Sequence, residues 1–187
     1  MTRTFLCTIL LSASLSAFAD DAQRTAESRA LVQEFAGALK SELTTAMQSG
    51  GPIAAIGICH EKAPAIAQAL GSRQGWTVGR TALKVRNPAN APSDWQRAVL
   101  QRFEADKARG TDVSALEYAE TVQTASGSEF RYMKAIPTGE LCLTCHGPAL
   151  APAVADRIEA LYPQDQATGF QPGDIRGAFV VVQPVGE

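Results

Sequence analysis

Leu116-Glu117-Tyr118-Ala119-Glu120-Thr121-Val122-Gln123-Thr124, then Ala125-Ser126-Gly127-Ser128, then Glu129-Phe130-Arg131-Tyr132-Met133-Lys134-Ala135-Ile136, is the segment from which the architecture can be read. Two runs rich in aromatic and β-branched residues flank a short turn of small polar residues and glycine, which predicts an antiparallel hairpin. Downstream, Ile175 to Pro184 holds the most strand-like run of the chain, Ala178-Phe179-Val180-Val181-Val182. Upstream, Trp76 to Leu83 reads as a further strand, and its Gly79 predicts a bulge or a close backbone approach.

Helical segments surround these strands. From Ala22 to about Gln48 the apolar residues Leu31, Phe35, Leu39, Leu43 and Met47 recur at four-residue spacing, which predicts a long amphipathic helix whose stripe packs on the sheet. Ser49-Gly50-Gly51-Pro52 breaks it, and Pro52 suits the first turn of a second helix that carries Ile53, Ile56 and Cys59 on one face. Pro64 is expected to limit or restart that helix, leaving a short piece from Ala63 to Leu70 ended by Gly71. Arg86 to Pro92 is a loop by its Pro and Asn content. Ser93 or Asp94 then caps a helix from Trp95 to about Ala108, with Trp95, Val99, Leu100 and Phe103 on one side. A last short helix is expected over Ala153 to Leu161. The fold class is therefore α+β.

The 187 residues, 45% hydrophobic and 19% charged, suffice for one domain with a real core. A formal charge of −2 argues against nucleic acid or an anionic membrane as partner. Arg3, the mostly apolar run Phe5 to Leu15 and the small-x-small site Ala17-Phe18-Ala19 read as a signal peptide over residues 1–19. Cleavage after Ala19 would leave a single mature domain, residues 20–187, exported to the periplasm with a formal charge of −3 once Arg3 is lost. No later stretch approaches the roughly 20 apolar residues of a membrane span.

Chemistry enters with Cys142-Leu143-Thr144-Cys145-His146, the Cys-x-x-Cys-His attachment signature of a c-type haem. Both thiols add to the haem vinyl groups, and the adjacent imidazole becomes an axial ligand. Zinc would need a second ligand pair at matching spacing, and a thioredoxin-like dithiol would open a helix in a βαβ unit; neither context is present. One covalent haem c is the cofactor expected. Candidates for its sixth ligand are Cys59, His60, Met47 and Met133. Consecutive helical residues point about 100° apart, so Cys59 and His60 cannot both face one iron, and Cys59 shares the apolar face. Removal of Cys7 with the leader makes Cys59 the odd thiol of an oxidising compartment. Two readings of it stand side by side, an iron-held thiolate and a small buried apolar residue.

Cys59 with Ala63-Pro64-Ala65-Ile66-Ala67, then Gly75-Trp76-Thr77-Val78-Gly79-Arg80-Thr81, Arg86-Asn87-Pro88-Ala89-Asn90-Ala91-Pro92 and Gly173-Asp174-Ile175-Arg176-Gly177-Ala178-Phe179, resembles the PAS-like c-type haem proteins long catalogued as a domain of unknown function. The resemblance spans essentially the whole mature chain. It implies an antiparallel, five-stranded or similar PAS-like sheet flanked by helices and preceded by a long helix. It also implies a single haem held by Cys142 and Cys145 with His146 and Cys59 as axial ligands. Haem propionates need cationic partners; Arg80 and Arg86 are the candidates, beside Lys84, Arg131 and Arg176, although each also reads as a solvated surface charge.

An iron with both axial positions filled favours outer-sphere electron transfer, and a thiolate opposite imidazole favours ferric iron and so a low potential. The expected function is periplasmic electron transfer or redox buffering with an unidentified redox or signalling protein as partner. The alternative is a redox or gas sensor switched by displacement of Cys59. No paired carboxylate or activated nucleophile stands out, so an enzyme is not expected.

Overall fold

The computed structural model describes residues 10–186, with side chains from Asp20 onward. Residues 1–9 of the expected signal peptide lie outside the described residues. Helix α1 (Leu10–Gln74) is followed by β1 (Thr77–Thr81), α2 (Asp94–Ala108), β2 (Glu117–Thr124), β3 (Gly127–Pro137), α3 (Glu140–His146), α4 (Pro152–Leu161) and β4 (Ile175–Val185). The four strands form one antiparallel sheet in the order β1-β4-β3-β2, one strand fewer than the five-stranded form implied by the resemblance. β2 and β3 are the expected hairpin, with Tyr118 opposite Met133 and Thr124 opposite Gly127.

Strand alternation divides the core into two layers. Phe130, Tyr132, Phe179 and Val181 point to one face and pack against Leu31, Val32 and Phe35 of α1. Met133, Ala135, Ala178 and Val180 point to the other, beneath Val99, Leu100 and Phe103 of α2. The sheet thus satisfies the first part of the predicted α1 stripe, Leu31, Phe35 and Leu39, while Leu43 and Met47 are half-buried and outside this cluster; each fully buried aliphatic or aromatic side chain contributes about 1.5–3 kcal/mol. Gln183, wholly buried on the α1 face, donates to Ser28 Oγ (2.9 Å) and to the Arg24 carbonyl (3.1 Å), which fixes the height of the helix on the strands.

The helix boundaries differ instructively from expectation. Gly51 adopts φ 66°, ψ −164°, so α1 is two arms meeting at a kink where Ser49 to Pro52 predicts a break. Pro64, however, does not end the second arm. Ala63, Ala67 and Leu70 bury the helix around it, and that packing outweighs one missing hydrogen bond. Gly71 does not end it either: its importance is room, because a Cβ there would sit 2.5 Å from the Trp76 carbonyl oxygen. The arm stops at Gly75, whose φ of 68° turns the chain so that the Trp76 N–H returns to the Gly71 carbonyl at 3.0 Å. Gly79 marks no bulge; it pairs in register with Val180, and the sheet's irregularity lies instead at Ile136/Pro137. Ser93 is the N-cap of α2, its N–H bonded to the Gln96 side chain at 3.0 Å.

Candidate functional site

Helix α3 carries Cys142, Cys145 and His146 on a single short element that starts after Gly139. Seven residues are too few for a helix to persist alone, so its position is imposed from outside. Arg86 does much of this. Its Nε donates to Asp165 Oδ1 at 3.0 Å, and its Nη2 donates to Asp165 Oδ2 (2.9 Å), the Cys145 carbonyl (2.7 Å) and the Ala167 carbonyl (3.0 Å). The following loop fastens to the end of α3, with Gly169 N–H on the Gly147 carbonyl and Phe170 N–H on the His146 carbonyl, both at 3.0 Å.

That loop sets the state of His146. Nδ1 lies 2.7 Å from the Ala167 carbonyl oxygen, which can only accept, so Nδ1 carries the proton and Nε2 keeps a free lone pair. Burial, then the charges of Arg176 and Arg86, push the imidazole pKa down to about 2, which keeps the ring neutral and ligand-competent at ordinary pH. Phe170 meets the ring edge-on at a centroid distance of 6.2 Å.

Cys59 comes from the second arm of α1, whose Ile56 packs with Val154, Ile158, Tyr162 and Cys145. The two distant segments are thereby joined. Burial pushes the Cys59 thiol pKa up, opposed by Arg80, Arg86 and Arg176; Cys145 is also raised by burial, with Cys59 and Cys142 adding to it and Arg86 opposing. Ile56 against Cys145, Arg86 on the Cys145 carbonyl and Arg176 against the His146 ring bring the second arm of α1, the motif helix and these arginines into one neighbourhood. Among the other candidate ligands, His60 is exposed with its ring 5.4 Å from that of Tyr162, and Met47 belongs to the arm before the kink. Met133 is fully buried on the α2 face of the sheet.

The basic residues separate by environment. Arg86 is buried and already bound bidentately by Asp165. Arg80 projects to the α1 face, its guanidinium 5.9 Å from the Phe35 ring centroid, and meets no carboxylate at ion-pair distance among the described residues. Arg176 touches His146, and Lys84 is exposed with its Nζ donating to the Thr168 carbonyl at 3.2 Å. Arg131 is remote from the motif, paired with Glu129 and stacked 4.8 Å over the Trp95 ring. Both tryptophans pack against the core, Trp76 on the α1 side and Trp95 on the α2 side.

Asp165, Ala167, Tyr162 and the His146 contact of Arg176 are what reading the sequence did not find. Ala167 acts through a backbone carbonyl, which no side-chain pattern reveals. Asp165 lies 79 positions from its partner Arg86.

A family model described as Tll0287-like matches residues 13–184. No curated protein matches the chain in sequence. Among solved structures, the crystal structure of the cyanobacterial heme-protein Tll0287 is similar, with a TM-score of 0.66 and 23% identity over 87% of this chain and 95% of that one. With a match across nearly its whole length, and with the same arrangement of a long helix on an antiparallel sheet, the chain belongs to the Tll0287-like family.

Proposed function

We propose that this protein is an exported, periplasmic haem carrier of electrons, with one haem c attached through Cys142 and Cys145 and held between His146 and Cys59. The observation that carries this reading is the match of charge and donors in one place. Arg80, Arg86 and Arg176 surround the cysteine-histidine motif, and Asp165 is the one carboxylate paired to any of them among the described residues. A haem brings two carboxylates to such a surplus of cations, together with an iron that accepts an imidazole nitrogen and a thiolate. The residues present therefore fit the group. Arg80, free of any carboxylate, is the better propionate partner; Arg86 serves to hold α3 and the 165–170 loop.

Bound there, the haem would supply a one-electron iron centre. The chain's residues do the rest. The Ala167 carbonyl holds the His146 proton on Nδ1 and so leaves Nε2 unprotonated, and burial keeps the Cys59 thiol protonated until a metal replaces that proton. Similarity to a heme-protein of the same fold supports the cofactor class. With His146 and Cys59 both holding the iron, electron exchange or redox buffering would be favoured over substrate chemistry, and no acid–base pair is assigned. A second reading, a redox or gas sensor, draws on the raised Cys59 thiol: burial favours its protonated form, which is the form that leaves iron.

Mass spectrometry of the denatured, exported protein tests the attachment, the expected result being the mass of a chain beginning at Asp20 plus one haem. Stopped-flow mixing with periplasmic redox proteins tests the role. Rapid electron exchange is expected, whereas an unreactive haem that changes spectrum only with CO or NO would replace the carrier by the sensor.

A further inference from the structure

Arg176 stands near the start of β4, with Nε 3.2 Å from Nδ1 and 3.3 Å from Nε2 of His146. Nδ1 offers it no lone pair, because its proton is donated to the Ala167 carbonyl. An atom equally near both ring nitrogens and in the ring plane would collide with Cε1, which lies between them. Arg176 therefore meets the imidazole through its face. The same guanidinium lies 5.3 Å from the Phe170 ring centroid, and its Nη1 is 3.5 Å from the Lys84 carbonyl. No carboxylate stands within ion-pair distance of it among the described residues. An apolar side chain would fill this position between two rings without cost. A cation here, with no carboxylate to offset it, is costly, and a guanidinium stays charged at neutral pH.

We infer that Arg176 is a positioning residue for His146 and sets the reduction potential of the iron that His146 binds, its charge against the imidazole face favouring the ferrous state. This rests on the reading of His146 as an iron ligand. Reduction removes one unit of positive charge from the centre, so a fixed cation nearby stabilises the reduced form, and more strongly where water is excluded. The Ala167 carbonyl works the other way. By accepting the Nδ1 proton it makes the ring a stronger donor and favours ferric iron, as the Cys59 thiolate does. Arg176 is the counterweight to both.

The test is a redox titration of the holoprotein as wild type, Arg176→Gln and Arg176→Lys, with resonance Raman on each to read imidazole ligation independently of potential. Arg176→Gln is expected to shift the ferric-to-ferrous equilibrium about tenfold toward ferric, which is 59 mV for one electron, while Arg176→Lys keeps most of the wild-type value. Should Arg176→Gln not accumulate, Arg176→Met against Arg176→Lys carries the same contrast. An unchanged midpoint in the neutral variant with its imidazole ligation intact overturns the inference alone. So does a lysine variant that falls as far as the neutral one, because shape and not charge would then matter. A wild-type haem without imidazole ligation overturns both this inference and the reading beneath it.

Discussion

The two sides of the site are built by different physics. On the motif side, α3 is short and is held by directional bonds: the Arg86–Asp165 pair, two carbonyls bound to Arg86, and the Gly169 and Phe170 amides on residues 147 and 146. On the other side, Cys59 rides on a long helical arm that reaches the site through Ile56 and its apolar neighbours. Hydrogen bonds fix the motif side in position. The Gly51 kink and the apolar packing of Ile56 on Val154, Ile158 and Tyr162 aim the other arm, so Cys59 is positioned by close-packed side chains and not by hydrogen bonds.

Breaking the motif side should therefore have the larger consequences. Replacing both Cys142 and Cys145 by serine should abolish haem that survives denaturation, read as loss of the haem mass, while the fold persists by circular dichroism. Arg86→Met removes one partner of a buried pair and strands Asp165, and should cost about 3–5 kcal/mol in urea unfolding. The same variant releases the Ala167 and Cys145 carbonyls, so haem attachment should fall with it.

Changes on the Cys59 side should be milder for stability and sharper for the iron. Gly51→Ala forces a Cβ into a left-handed backbone conformation and should cost about 1–3 kcal/mol, or relax by swinging the second arm. Covalent haem should survive in it, with thiolate signals weakened in EPR. Retained thiolate signals together with an unchanged melting midpoint would show that the kink does not aim Cys59.

The smallest effect lies away from both sides. Glu117 accepts from Arg29 and, at 2.9 Å, from Tyr132, and the hydrogen bond to Arg29 holds its carboxyl below the ordinary value of 4.5. A depressed carboxylate stabilises the fold above its unfolded value, and that contribution is lost as pH falls through the folded value. Stability should therefore decline as pH is lowered from about 5, and Glu117→Gln should flatten the decline by less than about 1 kcal/mol, since the pair is partly exposed. Urea titrations at several pH values check this.

Which parts of this were legible in the chain follows the same division. The hairpin, the α1 stripe and the α2 face were readable because residue alternation and helical spacing report burial directly; Met133, Phe35 and Phe103 are each essentially sealed from water. The motif was readable as one local unit because Cys142, Cys145 and His146 are near neighbours in the chain and fall on a single short helix. Helix ends were less so: Pro64 and Gly71 carry stop signals that tertiary packing overrides, and the stop falls at Gly75. The support of His146 was illegible, since Ala167 contributes only a carbonyl and Arg86 finds Asp165 across 79 residues. Arg176 could be named as a basic residue, but its place against the imidazole depends on the register of β4.

We propose one iron held from both sides, by His146 and by Cys59. Low-temperature EPR with resonance Raman on the ferric wild type and on Cys59→Ala tests it most directly. Low-spin thiolate–imidazole signals are expected in the wild type, and in the variant loss of the iron–sulfur mode with covalent haem retained and the midpoint potential raised. Identical spectra and potentials in the two proteins would contradict it.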